Sequence, residues 1–304
     1  MLYISKLLYF LVFIFSFSIK AKNLIDVDIT GSEKFYYSNK NETLIDISRE
    51  NNLSFPEVMS SNPKILDPWL IEENKKILLP NKHIIPFAPK KGLIINLADL
   101  RAYLFRGHDD KVFTFPIGIG REGWETPLGN AKVTGKRKNP YWTVPKSILE
   151  EDPTLPKVVG PGPDNPLGKH AIYLSMPSYL LHGTNKPWGV GMRVSHGCIR
   201  LYPEGIERLF SLVTKGTKVN IVNQPVKAGW KDGILFVEVH VMHEYGREDT
   251  DINIPPRTHL LPKASAIIQA VAGNEISRID WDLVVKAVLE ATGRPVPVML
   301  NMYE

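Results

Sequence analysis

The stretch HGTNKPWGVGMRVSHGCIRL, residues 182–201, decides how the rest of this sequence is interpreted. It holds two histidines, two arginines, four glycines and the only cysteine of the chain, Cys198. A cysteine attacks as the thiolate, and a neighbouring histidine can take up the thiol proton. Glycines let backbone amides approach a reacting group closely, and such amides stabilise a developing oxyanion. The stretch therefore predicts a cysteine nucleophile with a nearby histidine base and an oxyanion site.

Other interpretations of this stretch stay open on the residues alone. A lone cysteine is most often a buried structural thiol. His182, His196 and Cys198, with Glu204, offer a set of zinc ligands. The sequence has neither the further cysteines nor the His-x-x-x-His spacing that zinc sites usually use, so no metal and no cofactor are predicted. His196 is also close enough in sequence to Cys198 to be the base in place of His182.

Length and composition are those of an ordinary globular protein. The chain has 304 residues, 43% of them hydrophobic and 23% charged, which predicts about two domains. Lys and Arg total 37 against 32 Asp and Glu, giving a net charge of +5 with no dense basic run. Nucleic acid is therefore not a predicted partner. The single cysteine excludes an intramolecular disulfide and cysteine-rich zinc modules.

Residues 1–21 have the features of a secretory signal peptide. Lys6 precedes an apolar run at residues 7–15, and Ala21 offers a small residue for cleavage. The run is shorter than the roughly 20 residues that span a bilayer. Since residues 19–21 form a poor cleavage site, an uncleaved N-terminal anchor is the alternative. We expect an exported protein located in the periplasm, where a lone thiol is either buried or kept for its reactivity.

Residues 30–81 have the pattern of a small module in the order β-α-α-β. Thr43 and Ser54 are predicted to cap two successive helices, and strands are expected at residues 35–37 and 77–79. This order resembles a LysM module, a type of domain that binds the glycan chains of peptidoglycan or chitin.

Two turns of the module depart from the usual LysM pattern. Asn41 and Asn74 stand where LysM modules usually carry glycine. Asparagine tolerates a positive φ next best after glycine, so the fold is expected to survive the change. A degenerate module with a structural role alone is the alternative to glycan binding.

Residues 92–223 are predicted to form a mostly β domain with at least one helix. Residues 139–168 contain seven prolines and are expected to form an ordered loop that frames a cleft, neither a helix nor a central strand. Apolar spacing predicts a hairpin at 93–97 and 101–105, strands at 112–120 and 217–223, and a helix at 206–213 that Gly216 ends.

Two further segments flank this domain. Residues 82–91, which include Pro86 and Pro89, are predicted to be a linker. Residues 224–304 are predicted to be a C-terminal extension with a strand followed by helices. The strand, residues 234–241, is a candidate extension of the sheet of the large domain, and the helices are expected to pack on a core.

The block Ser195-His196-Gly197-Cys198, preceded by His182-Gly183-Thr184-Asn185, resembles the signature of the L,D-transpeptidase (YkuD) catalytic domain. The similarity is to the ErfK/YbiS/YcfS/YnhG branch and covers about residues 30–240. It includes the sequences at 92–96, 116–120, 126–127, 139–142 and 216–219. The resemblance implies a mainly β fold with some α, made of a β-sandwich-like catalytic domain and the small β-α-α-β LysM-like domain.

The resemblance also implies a reaction. Cys198 would attack the carbonyl of the L-centre of diaminopimelate in a peptidoglycan tetrapeptide stem and expel D-Ala. His182 would be the base, oriented by the Gly183 carbonyl, and amides near Gly197 and Cys198 would form the oxyanion hole. Ser195 and His196 complete the implied site. The acceptor would be another stem or a lysine of an outer-membrane lipoprotein, and carbapenems would acylate Cys198.

Arg200 is a candidate for substrate binding. In a strand, positions 198 and 200 share a face, and arginine binds carboxylates such as those of a stem peptide. A structural ion pair with Glu204 or Glu207 is the alternative. Trp124, Trp142 and Trp188 are candidates for lining the cleft, with packing as the alternative.

Two other functions stay open: a hydrolase that resolves the thioester with water, and a non-catalytic peptidoglycan-binding protein.

Overall fold

The computed structural model describes residues 28–107, 111–241 and 257–300. The predicted signal peptide lies outside these residues. The described part is mainly β with six α-helices, which confirms the predicted fold class. None of its helices has the length and apolar character needed to cross a membrane.

The N-terminal part has the predicted order of two strands and two helices, with one more strand on each side. Thr43 accepts a hydrogen bond from the Asp46 amide and begins the first helix. Asn41 and Asn74 adopt φ values of 65° and 60°, so asparagine takes the conformation for which glycine is usual. The elements are β1 (Ile29–Thr30), β2 (Lys34–Tyr37), α1 (Leu44–Glu50), α2 (Phe55–Ser61), β3 (Lys76–Leu79) and β4 (His83–Ile84).

The pairing of these strands shows where this part of the chain ends. Strand β2 pairs antiparallel with β3, and β1 pairs antiparallel with β4. Residues 83–85 belong to the segment predicted as a linker, yet all three are buried. The prolines that suggested a linker come only afterwards, from Pro86 onward.

The large domain is built around one nine-stranded sheet that closes on itself. Its strand order is β13-β7-β14-β12-β11-β8-β15-β5-β6, and β6 pairs also with β7. The strands are β5 (Gly92–Asn96), β6 (Arg101–Phe105), β7 (Phe113–Gly120), β8 (Gly129–Lys138), β11 (His170–Leu174), β12 (Leu180–His182), β13 (Arg193–Ser195), β14 (Ile199–Leu201) and β15 (Lys218–Val222). Alternate residues of these strands, Leu93, Ile95, Ile117, Val219 and Ile221 among them, form the buried core.

The proline-rich stretch is not wholly a loop, and that prediction was wrong in part. It contains helix α3 (Lys146–Glu151) and a separate pair of short strands, β9 (Trp142–Thr143) and β10 (Val158–Val159). Helix formation is possible because no proline lies between Pro145, which precedes the helix, and Pro153.

The predicted helix near residue 206 is α4 (Pro203–Leu212), which covers one side of the closed sheet. It begins three residues earlier than predicted because Pro203 suits the first turn of a helix. It ends at Leu212, so Gly216 does not end the helix. Gly216 lies beyond it in the turn before β15, at a φ of 91°.

The C-terminal extension has a sheet and a hydrophobic core of its own. It comprises β16 (Val226–Lys231), β17 (Ile234–Val239), α5 (Leu261–Ala272), α6 (Trp281–Glu290) and β18 (Val296–Pro297). Strand β17 pairs with β16 and β18, so it does not extend the nine-stranded sheet as considered above. The reason is local: Asp232 and Gly233 both have a positive φ and turn β17 directly back onto β16.

A buried charged cluster joins all three parts of the chain. Lys227 Nζ lies 2.7 Å from Asp99 Oδ2 and 2.8 Å from Glu238 Oε1, and it donates to the Ile84 carbonyl at 2.7 Å. Burial works against the ammonium, but the two carboxylates outweigh it and hold the pKa of Lys227 above its ordinary value. Asp99 belongs to the large domain, Ile84 to the N-terminal part, and Lys227 and Glu238 to the extension.

The N-terminal helices pack beside the segment that carries the predicted site. Arg49 on α1 makes two hydrogen bonds of 2.8 Å to Glu204, and Tyr202 donates to the Leu53 carbonyl at 3.2 Å. At Gly191 a Cβ would come within 2.3 Å of the Ser54 side chain. The contact on this side therefore requires glycine at position 191.

Candidate active site

Two neighbouring parallel strands bring the predicted histidine and cysteine together. On β12 and β14, Leu181 pairs with Ile199 and His182 pairs with Arg200. Leu181 and Ile199 are buried in the core of the closed sheet. Because side chains alternate along a strand, His182 and Arg200 point to the opposite face, and Cys198, one residue before β14, continues that face. His182, Cys198 and Arg200 therefore line one side of the sheet.

His182 is held in one orientation by the residue that follows it. Its Nδ1 hydrogen-bonds the Gly183 carbonyl, and the Gly183 amide donates to the His170 carbonyl at 3.1 Å. A side chain at Gly183 would crowd Ile206, since a Cβ would lie 3.1 Å from Ile206 Cγ2. With Nδ1 donating to a carbonyl, Nε2 is the basic nitrogen.

Burial keeps the His182 imidazole neutral. It lowers the pKa of His182 from 6.5 to about 3, and the positive charge of Arg200 contributes in the same direction. The carbonyls of Gly183 and Pro166 act the other way and favour the protonated ring. The histidine is therefore an unprotonated base throughout the neutral range.

Cys198 is half-buried and also neutral at rest. Its Sγ lies 3.6 Å from the Ser178 carbonyl oxygen. Burial raises the pKa of the Cys198 thiol, while a backbone hydrogen bond at Leu180 and the charge of Arg200 lower it by less. Thiol and imidazole are thus both uncharged before substrate binds, and charge develops only when the proton moves.

The turn at residues 195–198 is fixed from both sides. Buried Ser195 donates from Oγ to the Cys198 carbonyl at 2.6 Å, and Thr126 Oγ1 donates to the Gly197 carbonyl at 2.8 Å. Gly197 has a φ of 96°, and a Cβ there would lie 2.8 Å from Tyr179 Cε1. Position 197 therefore requires glycine for its backbone angle and for space.

His196 belongs to a different group of side chains. Its Nε2 lies 2.9 Å from Glu151 Oε2 and 3.0 Å from Arg121 Nη2. Its ring also meets that of Trp124 edge to face, with centroids 4.9 Å apart. Nε2 of His196 is engaged by these contacts, whereas Nε2 of His182 is the basic nitrogen, which favours His182 over His196 as the partner of the thiol.

The structure argues against the alternative role of Arg200, a structural ion pair with Glu204 or Glu207. Glu204 is bound by Arg49, as described above, and no ion pair joins Arg200 to any carboxylate among the described residues. Its Nε is buried and has no hydrogen-bond partner in the described ranges, and burial lowers the pKa of Arg200 below the ordinary arginine value. An arginine in this state is available for an anionic ligand.

The zinc alternative finds no support in the geometry. Within the described ranges, the three side chains close enough to share a metal ion are Asp99, Glu238 and His240. None of His182, His196 and Cys198 belongs to that group. Lys227 already places an ammonium between the two carboxylates, which supplies the compensating positive charge.

Several residues at the site were not identified from the sequence. Ser178 and Tyr179 contact the thiol and Gly197 from a loop about 20 positions upstream, and no motif marks them. Ser178 also has a φ of 69°. Thr126 was noted only as part of a similar dipeptide. Arg121 and Glu151 carried no signal, because their contacts with His196 arise only in the folded chain.

Comparison with known proteins identifies the family to which the chain belongs. A model of the YkuD family, described as the L,D-transpeptidase catalytic domain, matches residues 90–221. The probable L,D-transpeptidase YcfS of Escherichia coli K12 is 41% identical over 222 residues, which are 70% of this chain and 69% of that protein. The probable L,D-transpeptidase ErfK/SrfK of the same strain is 34% identical over 249 residues, 79% of this chain and 77% of that protein. YbiS of that strain, also a probable L,D-transpeptidase, is 38% identical over 197 residues, which are 63% of this chain and 64% of that protein.

The chain belongs to the L,D-transpeptidase family. It is therefore a transpeptidase, an enzyme that transfers an acyl group, as the resemblance implied.

Proposed function

We propose that the chain is an exported L,D-transpeptidase that uses Cys198 as its nucleophile on peptidoglycan tetrapeptide stems. The observation that carries the proposal is the placement of His182 and Cys198 on one face of two adjoining parallel strands. Since the Gly183 carbonyl holds Nδ1, the Nε2 atom of His182 is the one that receives the thiol proton. Membership of the family supports transfer of an acyl group.

The first half of the reaction forms a thioester. Nε2 of His182 takes the thiol proton while Sγ attacks the carbonyl at the L-centre of diaminopimelate. The bond between that carbonyl carbon and the nitrogen of D-Ala then breaks, and His182 returns the proton to the leaving amine. Amides at Gly197 and Cys198 are the proposed donors to the oxyanion, an interaction typically worth about 3 kcal/mol per donor.

The second half transfers the acyl group to an amine. The acceptor nitrogen attacks the thioester, its proton passes through His182, and the thiol of Cys198 is restored. The acceptor is the side-chain amine of another stem or a lysine of an outer-membrane lipoprotein. If water takes this place, the same intermediate gives a hydrolase.

Arg200 is proposed to bind a carboxylate of the donor stem. It shares the face of Cys198, and within the described part of the chain its Nε has no hydrogen-bond partner. A carboxylate would satisfy this buried donor and offset the burial of the guanidinium. Ser195 supports the reaction indirectly, because its hydroxyl fixes the carbonyl of the nucleophile.

The N-terminal module is proposed to bind the glycan strand. The segment between α2 and β3 exposes Leu66, Trp69 and Leu70, with Trp69 67% exposed. A cavity of about 200 Å³ lies in the same segment and is lined partly by Lys64 and Asp67. Exposed aromatic rings with polar neighbours suit sugar rings, which present both apolar faces and hydroxyl groups. Co-sedimentation with purified sacculi, compared between the mature protein and Trp69→Ala, tests this role.

Mass spectrometry of the mature protein incubated with purified disaccharide-tetrapeptide tests the catalytic proposal. We expect a 3→3 linked dimer and released D-Ala, both absent with Cys198→Ala. Tripeptide without dimer would identify the hydrolase, and a lipoprotein C-terminal peptide in a parallel reaction tests the other acceptor. Release of D-Ala that persists in Cys198→Ala would refute the nucleophile.

A further inference from the structure

Arg121, Glu151 and His196 form a cluster that the proposed mechanism leaves unused. Arg121 follows β7, Glu151 ends α3, and His196 lies two residues before Cys198. Nη2 of Arg121 donates to both oxygens of Glu151, at 2.9 and 2.7 Å. His196 Nε2 lies 2.9 Å from the same carboxylate and donates to it in the tautomer that carries its hydrogen on Nε2. Two donors from the body of the domain therefore converge on one carboxylate.

The two donors are fixed to the turn that carries the nucleophile. The Arg121 amide donates to the Ser195 carbonyl at 2.9 Å, and Trp124 packs against the His196 ring. The side chains of Arg121 and Glu151 are 43% and 42% exposed, so a ligand from solvent can reach them. The cluster thus lies at an open position beside Cys198.

The contact with Glu151 leaves part of the Arg121 guanidinium unused. Arginine commonly binds a carboxylate with two nitrogens, each facing one oxygen. Here a single nitrogen, Nη2, contacts both oxygens, while the buried Nε has no hydrogen-bond partner among the residues that the structure describes. Glu151 therefore lies against the Arg121 guanidinium but leaves the Nε donor of Arg121 unused.

Glu151 also lies on a helix that has little buried surface. Helix α3 is six residues long, and none of its residues is buried. Arg121 is hydrogen-bonded to the turn that carries the nucleophile and His196 is part of that turn, whereas Glu151 is attached to this short surface helix.

We propose that Arg121 and His196 form a carboxylate-binding subsite beside Cys198, and that Glu151 occupies it as an internal ligand. A carboxylate of the stem peptide displaces Glu151 and takes the Nε and Nη2 atoms of Arg121. This subsite rests on the proposed function, since it supplies a second arginine, with Arg200, for a substrate that carries several carboxylates. Ion pairs exposed to this degree change equilibrium constants by up to about fivefold, so the displacement is energetically accessible.

Calorimetric titration of disaccharide-tetrapeptide into the full mature chain tests the subsite without turnover. All proteins in this experiment carry Cys198→Ala. Adding Glu151→Gln removes the competing charge, and we expect the Kd to fall, by up to about fivefold. Adding Arg121→Gln should raise the Kd, and Glu151→Gln should then have no further effect. An unchanged or higher Kd with Glu151→Gln alone would overturn the proposal.

Glu150→Gln is the matched control. Glu150 lies on the same helix and pairs with Lys146, at 3.5 Å, so its replacement should leave the Kd unchanged. A tetrapeptide amidated at its carboxylates is the matched ligand, and Glu151→Gln should not improve its binding. Improved binding of the amidated ligand would show that the gain does not come from a carboxylate and would also overturn the proposal.

Turnover by the chain with Cys198 intact separates this inference from the proposed function. Glu151→Gln should lower KM for the tetrapeptide and leave kcat within about twofold. A fall in kcat at unchanged KM would instead show that Glu151 only supports the local structure. Failure of the proposed function would show as absent D-Ala release by the unmodified chain, while the titrations would still report on the subsite.

Discussion

Glu57 and Arg101 form a buried ion pair between the N-terminal module and the closed sheet. Arg101 Nε and Nη2 both donate to Glu57, at distances of 2.7 to 3.0 Å, and the Arg101 side chain is completely buried. The same carboxylate accepts a hydrogen bond from the Ser54 amide at the start of α2. One side chain therefore begins a helix of the module and neutralises a charge of the large domain.

Replacing Glu57 by alanine should destabilise the whole protein. The change leaves the Arg101 guanidinium buried without a counter-charge, which typically costs about 3–5 kcal/mol. Urea denaturation measures the free energy of unfolding. The control is Glu72→Ala, which breaks an exposed pair with Lys75 and should change stability by less than about 1 kcal/mol. Equal losses for the two variants would contradict the importance of burial.

The pH dependence of Cys198 acylation should show no titration of His182 near neutrality. A base must be unprotonated to act, and the pKa of His182 lies at about 3 instead of 6.5. Loss of activity by protonation is therefore expected only below about pH 4. Mass spectrometry of carbapenem acylation at a series of pH values checks this. A half-maximal rate close to pH 6.5 would show that the free imidazole is far less buried than described.

His83 should make the protein less stable in mild acid. Burial, followed by the charges of Arg101, Lys227 and His240, holds the pKa of His83 well below 6.5. The unfolded chain therefore binds a proton at His83 that the folded chain does not. This contribution to stability is complete above pH 6.5 and is lost as the pH falls from there towards the folded pKa.

Comparison of the unmodified chain with His83→Gln isolates that contribution. The variant should lose stability less steeply than the parent between about pH 6.5 and pH 5, as measured by thermal or urea unfolding. Identical slopes for the two proteins would mean that His83 can be protonated in the folded state.

Gly197→Ala should abolish acylation of Cys198. The added Cβ would lie 2.8 Å from the Tyr179 ring, and the φ of 96° is unfavourable for alanine. Gly123→Ala is the control, because Gly123 has a φ of 78° but no described atom lies within 4 Å of where its Cβ would be. Both variants should lose about 1–2 kcal/mol of stability from the backbone, but only Gly197→Ala should lose reactivity towards a carbapenem. Normal acylation of Gly197→Ala would show that the turn can relax.

Features determined by near neighbours in sequence could be predicted. The cap at Thr43 and the left-handed asparagines Asn41 and Asn74 each depend on a few adjacent residues. Apolar spacing located strands β5, β6, β7 and β15 of the closed sheet, but it did not locate the other strands or give the strand order. Strand β17 was predicted as a candidate extension of the nine-stranded sheet, which was wrong. The apolar pattern of a single strand does not indicate which other strand it pairs with.

At the active site too, residues close together in sequence could be predicted, whereas contacts from distant segments could not. Cys198, His182, Gly183 and Ser195 lie within 17 residues of one another and form part of a recognisable block. Their surroundings come from elsewhere: Ser178 from the preceding loop, Thr126 from the turn after β7, and Glu151 from the proline-rich stretch. Contacts of this kind depend on the closed sheet, which brings distant segments to one edge.

The buried cluster around Lys227 affects how the three parts of the protein unfold. Its ammonium is compensated by Asp99 and Glu238 and also binds the Ile84 carbonyl, so removing the extension leaves the buried Asp99 carboxylate without its counter-charge, and removing the N-terminal part takes one hydrogen-bond acceptor from the ammonium. Melting of the C-terminal extension is thereby coupled to melting of the other two parts. Calorimetry should record one cooperative transition, and removal of residues 224–304 should yield an insoluble or protease-sensitive remnant instead of a smaller enzyme.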